Sequence, residues 1–216
     1  MLKENEIFAV TDRDGNIHAQ SADGQGLYFR DTRFLSVYDF SIDNLGLQLL
    51  SSAGELNFMS NLQFGNLAGA PDGNRQVPAR TVSIRRNRFI DNGLHERIGL
   101  LNLNPFPLRL SLRLTFGSDF RDMFDVRGYA PRARRGVVHR PEPHEEHITL
   151  RYVGVDNVER TTEVGFDRLP DSVEAVSTTS SPQRTTPWNI GSGTGDPREE
   201  LGMQPPLVQA VYHVDL

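Results

Sequence analysis

The alternation of apolar and polar side chains is strictest between Leu108 and Phe116. There Leu108, Leu110, Leu112, Leu114 and Phe116 take every second position, and Arg109, Ser111, Arg113 and Thr115 fill the gaps. A sustained period of two predicts a strand with one face in a core and the other in water. Gly117 ends the pattern, and Asp119, Asp122 and Asp125 then fall three apart with Phe120 and Phe124 between them. If residues 119–125 coil into a helical turn, the carboxylates share one side and the rings another. Both phenylalanines are then expected to pack inward, with Asp119, Asp122 and Arg127 holding the corner by hydrogen bonds.

Shorter runs surround this strand. Residues 7–11 predict a strand, Asp12-Arg13-Asp14-Gly15 a turn, and the segment at Ile17 its partner. Residues 34–42 place Phe34, Tyr38, Phe40 and Ile42 on one face; Leu56, Phe58, Leu62 and Phe64 mark another strand. Residues 81–90 and 94–103 flank Asp91-Asn92-Gly93, the clearest hairpin signal in the chain. Residues 137–140, 147–153, 161–166 and 173–178 read as short strands, and residues 207–216 resume the alternation. No long amphipathic helix emerges. About a dozen short strands with frequent turns predict one all-β domain over residues 1–216, an antiparallel two-sheet sandwich. Residues 180–206, rich in Ser, Thr, Gly and Pro, predict a mobile insertion.

Composition narrows the function. A formal net charge of -5 argues against a general nucleic-acid binder. The absence of cysteine excludes disulfides and thiolate-bound metal and suits a cytoplasmic protein. No run is apolar enough for a signal peptide or a membrane span, so no membrane partner is expected.

Several clusters have chemistry that must be weighed. Asp119, Asp122 and Asp125 could supply the carboxyl pair that a glycosidase sets about its scissile bond. Turn capping and pairing with Arg121 or Arg127 is the commoner use of such residues. His139, His144 and His147, with Glu142, Glu145 and Glu146, have metal-ligand chemistry, but the segment HRPEPHEEH lacks strand spacing and reads as a solvated loop. Asp12, Asp14 and Gly15 share a fragment of a calcium loop without its downstream glutamate. Arg132, Arg134 and Arg135 form a basic loop without the aromatics of a nucleic-acid groove, and Trp188 stands alone as a sugar platform. No catalytic, cofactor or metal residue is assigned. Arg30, Asp31, Thr32 and Arg33 predict either an internal polar network or an edge that borders a neighbouring domain's cleft.

Three stretches, in order, carry a resemblance: GLYFRDTRFL at 26–35, RFIDNGLHERIGL at 88–100 and DFRDMFDVRG at 119–128. Together they resemble the N-terminal β-domain of bacterial glycogen debranching enzymes of the amylo-alpha-1,6-glucosidase type, over roughly the first 170 residues. The resemblance implies a supersandwich fold and an accessory role. The chain would pack on a C-terminal catalytic (α/α)6 barrel of the same polypeptide, which holds the catalytic acids, and would contribute to α-glucan binding. Alone it would be inactive and need no cofactor. Two other classes compete. One is a free-standing carbohydrate-binding module. The other is a mutarotase-like enzyme using Glu96 with His95, although adjacent strand residues point to opposite faces. The chain stops while still reading as strand, so a helix-rich continuation is expected.

Deleting residues 183–204 is expected to leave the domain folded, because the segment has too few apolar residues to belong to a core. Loss of a cooperative urea transition in the deletion variant would refute the assignment.

Overall fold

The computed structural model describes residues 1–54, 57–71, 73, 75–129, 136–176 and 205–216. Trp188, the arginines at 132, 134 and 135 and nearly all of the predicted insertion at 180–206 lie outside these residues. In chain order the strands begin with β1 (Leu2–Glu4), β2 (Ile7–Val10), β3 (Gly26–Phe29), β4 (Thr32–Leu35) and β5 (Val37–Ile42). Next come β6 (Leu47–Ala53), β7 (Met59–Asn66), β8 (Val82–Ile90), β9 (Leu94–Asn102) and β10 (Arg109–Gly117). A single helical turn, α1 (Met123–Val126), precedes β11 (Val137–Val138), β12 (Glu142–Pro143) and β13 (His147–Val153). The chain ends on β14 (Glu159–Gly165), β15 (Ser172–Val176) and β16 (Leu207–Asp215).

Every ladder is antiparallel, as the short alternating runs require. The strands form four small sheets rather than the two large ones expected. Their orders are β1-β2-β3-β4, β15-β16-β10-β5, β6-β7-β8-β9, and β11-β13-β12 with β14 on the other side of β13. The division has a local cause. The run 34–42, which reads as one strand, breaks at Ser36, whose buried backbone N–H donates to Gly117 O at 2.9 Å. The chain therefore leaves the first sheet after Leu35 and enters the second at Val37. Ile17 does not pair with β2 as expected; it makes an isolated bridge to Tyr38, while β2 pairs with β1 and β3.

β10, like its neighbour β5, contributes to both of the main cores. Leu110 and Leu112, near its start, pack with Phe40, Ile42, Leu62, Phe64, Val82 and Ile84, so this half lies over the β6–β9 sheet. Phe116, near its end, packs with Tyr38, Ile148, Leu150 and Val208, so this half lies over the β13 sheet. Leu114, half-buried, touches both. The period-two face is thus used along its whole length, but against two sheets.

Leu112→Ala is expected to destabilise the fold by about 2–5 kcal/mol in urea melts, the cost of a core leucine with its cavity. A loss under about 1 kcal/mol would mean that this face of β10 is not in the core.

Candidate functional site

The first and third motif stretches meet. Thr32 forms a bridge with Asp122, Arg33 N donates to Arg121 O at 2.8 Å, and Met123 N donates to Asp31 O at 2.7 Å. The backbone register brings Arg33, 1% exposed, onto Asp119. Its Nε donates to Asp119 Oδ1 at 3.0 Å, its Nη2 donates to Asp119 Oδ2, and its Nη1 donates to Gln25 O at 2.9 Å. Gly26 is required beside it, since a Cβ there would stand 2.5 Å from Arg33 Cδ. Asp122 caps α1 by accepting from Phe124 N at 2.8 Å, and Asp125 lies in the first turn. Arg30 is exposed, pairs with Glu6 at 3.2 Å and lies over the Phe29 ring.

Two expectations about this corner fail. Arg127 caps α1 through its backbone N–H, and its side chain is exposed; Asp119 is held instead by the guanidiniums of Arg33 and, at 3.4 Å, of Arg121, one of the two partners expected. Phe120 is buried against Tyr152 and Phe34, but Phe124 is 54% exposed. The reason is helical phase. α1 begins only at Met123, and Phe120 precedes it with φ of 48°, so the two rings never share a helical face. Phe124 instead meets Tyr129, itself exposed, in an edge-on contact at 6.1 Å.

The second motif supplies a buried ionic cluster that sequence reasoning missed. On β8, Arg86 and Arg88 occupy the inward positions between Ile84 and Ile90. Glu96 faces them from β9, accepting from Arg86 Nε at 2.5 Å and from Arg88 Nε at 2.8 Å. Arg86 Nη1 also donates to Asp14 O at 2.7 Å and to Asn16 Oδ1 at 2.8 Å. Both guanidiniums lie over the Tyr38 ring, and that of Arg86 also over Phe40. Gly15, with φ of 80°, lies so close to Arg88 that a Cβ would stand 2.4 Å from Nη1. Strand parity was the available signal: Val82, Ile84, Arg86, Arg88 and Ile90 share one face.

The cluster decides what Glu96 can do. Burial by itself would raise the Glu96 carboxyl, but Arg88 and Arg86 outweigh it and hold the group below the usual carboxylate range. Such a group stays ionised and makes a poor proton donor. His95 points to the opposite face, stacked on Phe89 at 4.7 Å with Nε2 2.9 Å from Asp91 O. The structure therefore does not bring His95 and Glu96 together. His144 and His147 stack at 4.5 Å beside a wide, open depression of about 700 Å³, and no group of three metal-ligating side chains converges among the described residues. A smaller pocket of about 240 Å³ opens next to Asp14, Asn16 and Phe40.

The fold is thus an all-β domain whose recognisable motifs close on buried ion pairs, with Asp119 and Glu96 bound by arginines and Asp122 capping α1. The family described as the N-terminal domain of (some) glycogen debranching enzymes matches residues 2–190, and the chain belongs to it. A search of curated proteins found no match.

Glu96→Gln is expected to destabilise the domain by about 3–5 kcal/mol in chemical denaturation, because two buried guanidiniums lose their counter-charge. The depressed Glu96 carboxyl also sets a pH dependence. Its contribution is present above the unfolded value and disappears as pH falls through the folded one, so wild-type stability should decline below about pH 4. The Gln variant should lack that part of the decline.

Proposed function

We propose that this chain is the N-terminal accessory domain of a cytoplasmic glycoside hydrolase of the amylo-alpha-1,6-glucosidase type. It packs on a catalytic (α/α)6 barrel of the same polypeptide and contributes to α-glucan binding. The observation that carries the docking is the outward aromatic pair Phe124–Tyr129, set in a motif whose other ring, Phe120, is buried. Phe29 and Arg30, both exposed, lie in the β3–β4 hairpin whose Asp31 carbonyl receives the first amide of α1. Exposed aromatic and arginine side chains on a rigid corner have the composition of an interface centre. Membership of a family described as the N-terminal domain of glycogen debranching enzymes supports reading that partner as a catalytic domain of the same polypeptide.

The carboxylates support an accessory role. A glycosidase needs one carboxyl that can donate a proton and a second opposite it. Asp119 is bound by Arg33, Glu96 by two arginines, and Asp122 by a helix N-terminus. All three are engaged within the domain itself.

The test is calorimetry of the full-length polypeptide carrying Phe124→Ala with Tyr129→Ala. The β-domain transition is expected to separate from that of the barrel, with a docking loss of about 2 kcal/mol or more, while the separate β-domain melts as before. Coincident, unshifted transitions in the double variant would refute docking through this corner.

A further inference from the structure

We propose that Asn92 is a site of spontaneous deamidation, through a cyclic imide formed with the amide of Gly93, and that its isoaspartate product loosens the β8–β9 hairpin that carries the ionic cluster. Asn92-Gly93 is the single Asn-Gly pair in the chain; every other asparagine precedes a residue whose Cβ shields the amide behind it. Asp91 and Asn92 are both exposed at the hairpin tip.

The Gly93 amide is the nucleophile. It donates no hydrogen bond among the described residues; the tip is closed by Asp91 N, which donates to Gly93 O at 3.0 Å. The glycines that follow aspartates make the contrast. The amides of Gly15, Gly24 and Gly73 donate to Asp12 O, Ser21 O and Ala70 O at 3.2, 3.2 and 2.9 Å. All three also have positive φ, whereas Gly93 does not, and a Cβ at Gly93 would meet nothing within 4 Å. The hairpin therefore accepts alanine at this position.

The reaction needs only water and base. The Gly93 nitrogen loses its proton to base and attacks Asn92 Cγ; the new N–C bond closes the imide, and Nδ2 leaves as ammonia. Water then opens the imide at either carbonyl. Opening at the side-chain carbonyl retains it as a backbone amide and gives isoaspartate only when the main-chain carbonyl becomes the free acid; that backbone runs through Cβ and gains a methylene. The other opening gives aspartate. Both products add a carboxylate where Asn92 Nδ2 now donates to Asp91 Oδ1 at 3.1 Å, so an attraction becomes a repulsion. Isoaspartate does more. The turn sets the pairs Ile90 with Leu94 and Phe89 with His95, and the next pair is Arg88 with Glu96. His95 Nε2 also lies 2.9 Å from Asp91 O. An added methylene at the tip works against that register, and the register holds buried Arg88 against Glu96 at 2.8 Å.

The test ages the chain in mildly alkaline and in mildly acidic buffer and follows residue 92 by peptide mapping, with enzymatic methylation of isoaspartyl groups as a second readout. Asn92 is expected to convert ahead of every other asparagine, faster in the alkaline buffer, to isoaspartate as well as aspartate. Gly93→Ala is expected to lose most of the conversion while keeping its urea transition. The isoaspartate fraction should unfold at lower urea than Asn92→Asp, which carries the charge without the methylene. Retention of Asn92 in the aged wild-type chain, aspartate as the sole product, or undiminished conversion in folded Gly93→Ala would overturn the imide route. Equal urea midpoints for the isoaspartate fraction and Asn92→Asp would overturn its effect on the hairpin.

Discussion

Three arginine side chains, those of Arg33, Arg86 and Arg88, are almost wholly withdrawn from water, and the arrangement of the chain follows from how they are compensated. Removing an ion from water costs several kcal/mol even after relaxation, so each must meet a counter-charge in good geometry. Arg33 finds Asp119 from across the chain, while Arg86 and Arg88 share Glu96. Each partner lies in one of the three recognisable motifs or beside it. The first and third motifs are therefore the two halves of one ion pair, and the second holds Arg88 and Glu96 face to face on adjacent strands with Arg86 just ahead of it. Apolar burial drives collapse, but it would tolerate several sheet arrangements; unpaired buried charge would not.

What the chain revealed in advance follows the same division. β10, the β8–β9 hairpin and β16 were legible because period-two alternation and an Asp-Asn-Gly turn are local signals. The break at Ser36 was not, since a small polar residue within an apolar run becomes a switch only when Gly117 arrives to accept its amide. Phe124 was misplaced for a related reason. Spacing gives relative position on a helix, but the phase is set by where the helix starts, and here Asp122 and the bridge to Thr32 start it at Met123 rather than at Asp119. Arg86 and Arg88 had the parity of core residues and were passed over because arginine is usually a surface residue. In the candidate site, nothing local in the sequence announces that Arg33 pairs with Asp119, because the two come together only when the first and third motifs meet.

The acidic-aromatic corner separates two tasks within ten residues. Inside, Asp119 neutralises Arg33, and Phe120, held at positive φ, lies between Phe34 and Tyr152. That backbone strain is tolerable because the ring is buried and both flanking residues are hydrogen-bonded to the β4 segment or to its ion pair. Outside, the reversal points the next ring, Phe124, into solvent beside Tyr129. A fully inward corner would gain apolar burial but present no aromatic surface. The positive φ at Phe120 is what divides the motif into a buried anchor and an exposed contact.

The ionic cluster and the pocket are linked by a short chain of bonds. Glu96 fixes the Arg86 guanidinium from one side; from the other, Arg86 fixes the Asp14 carbonyl and Asn16 Oδ1. Asn16 in turn accepts from Phe40 N on the pocket wall. An asparagine side chain that both donates and accepts can turn over at little cost in water, but two donors aimed at Oδ1 leave Nδ2 a single direction. The Asp12–Asn16 turn is therefore oriented by a charge buried behind it.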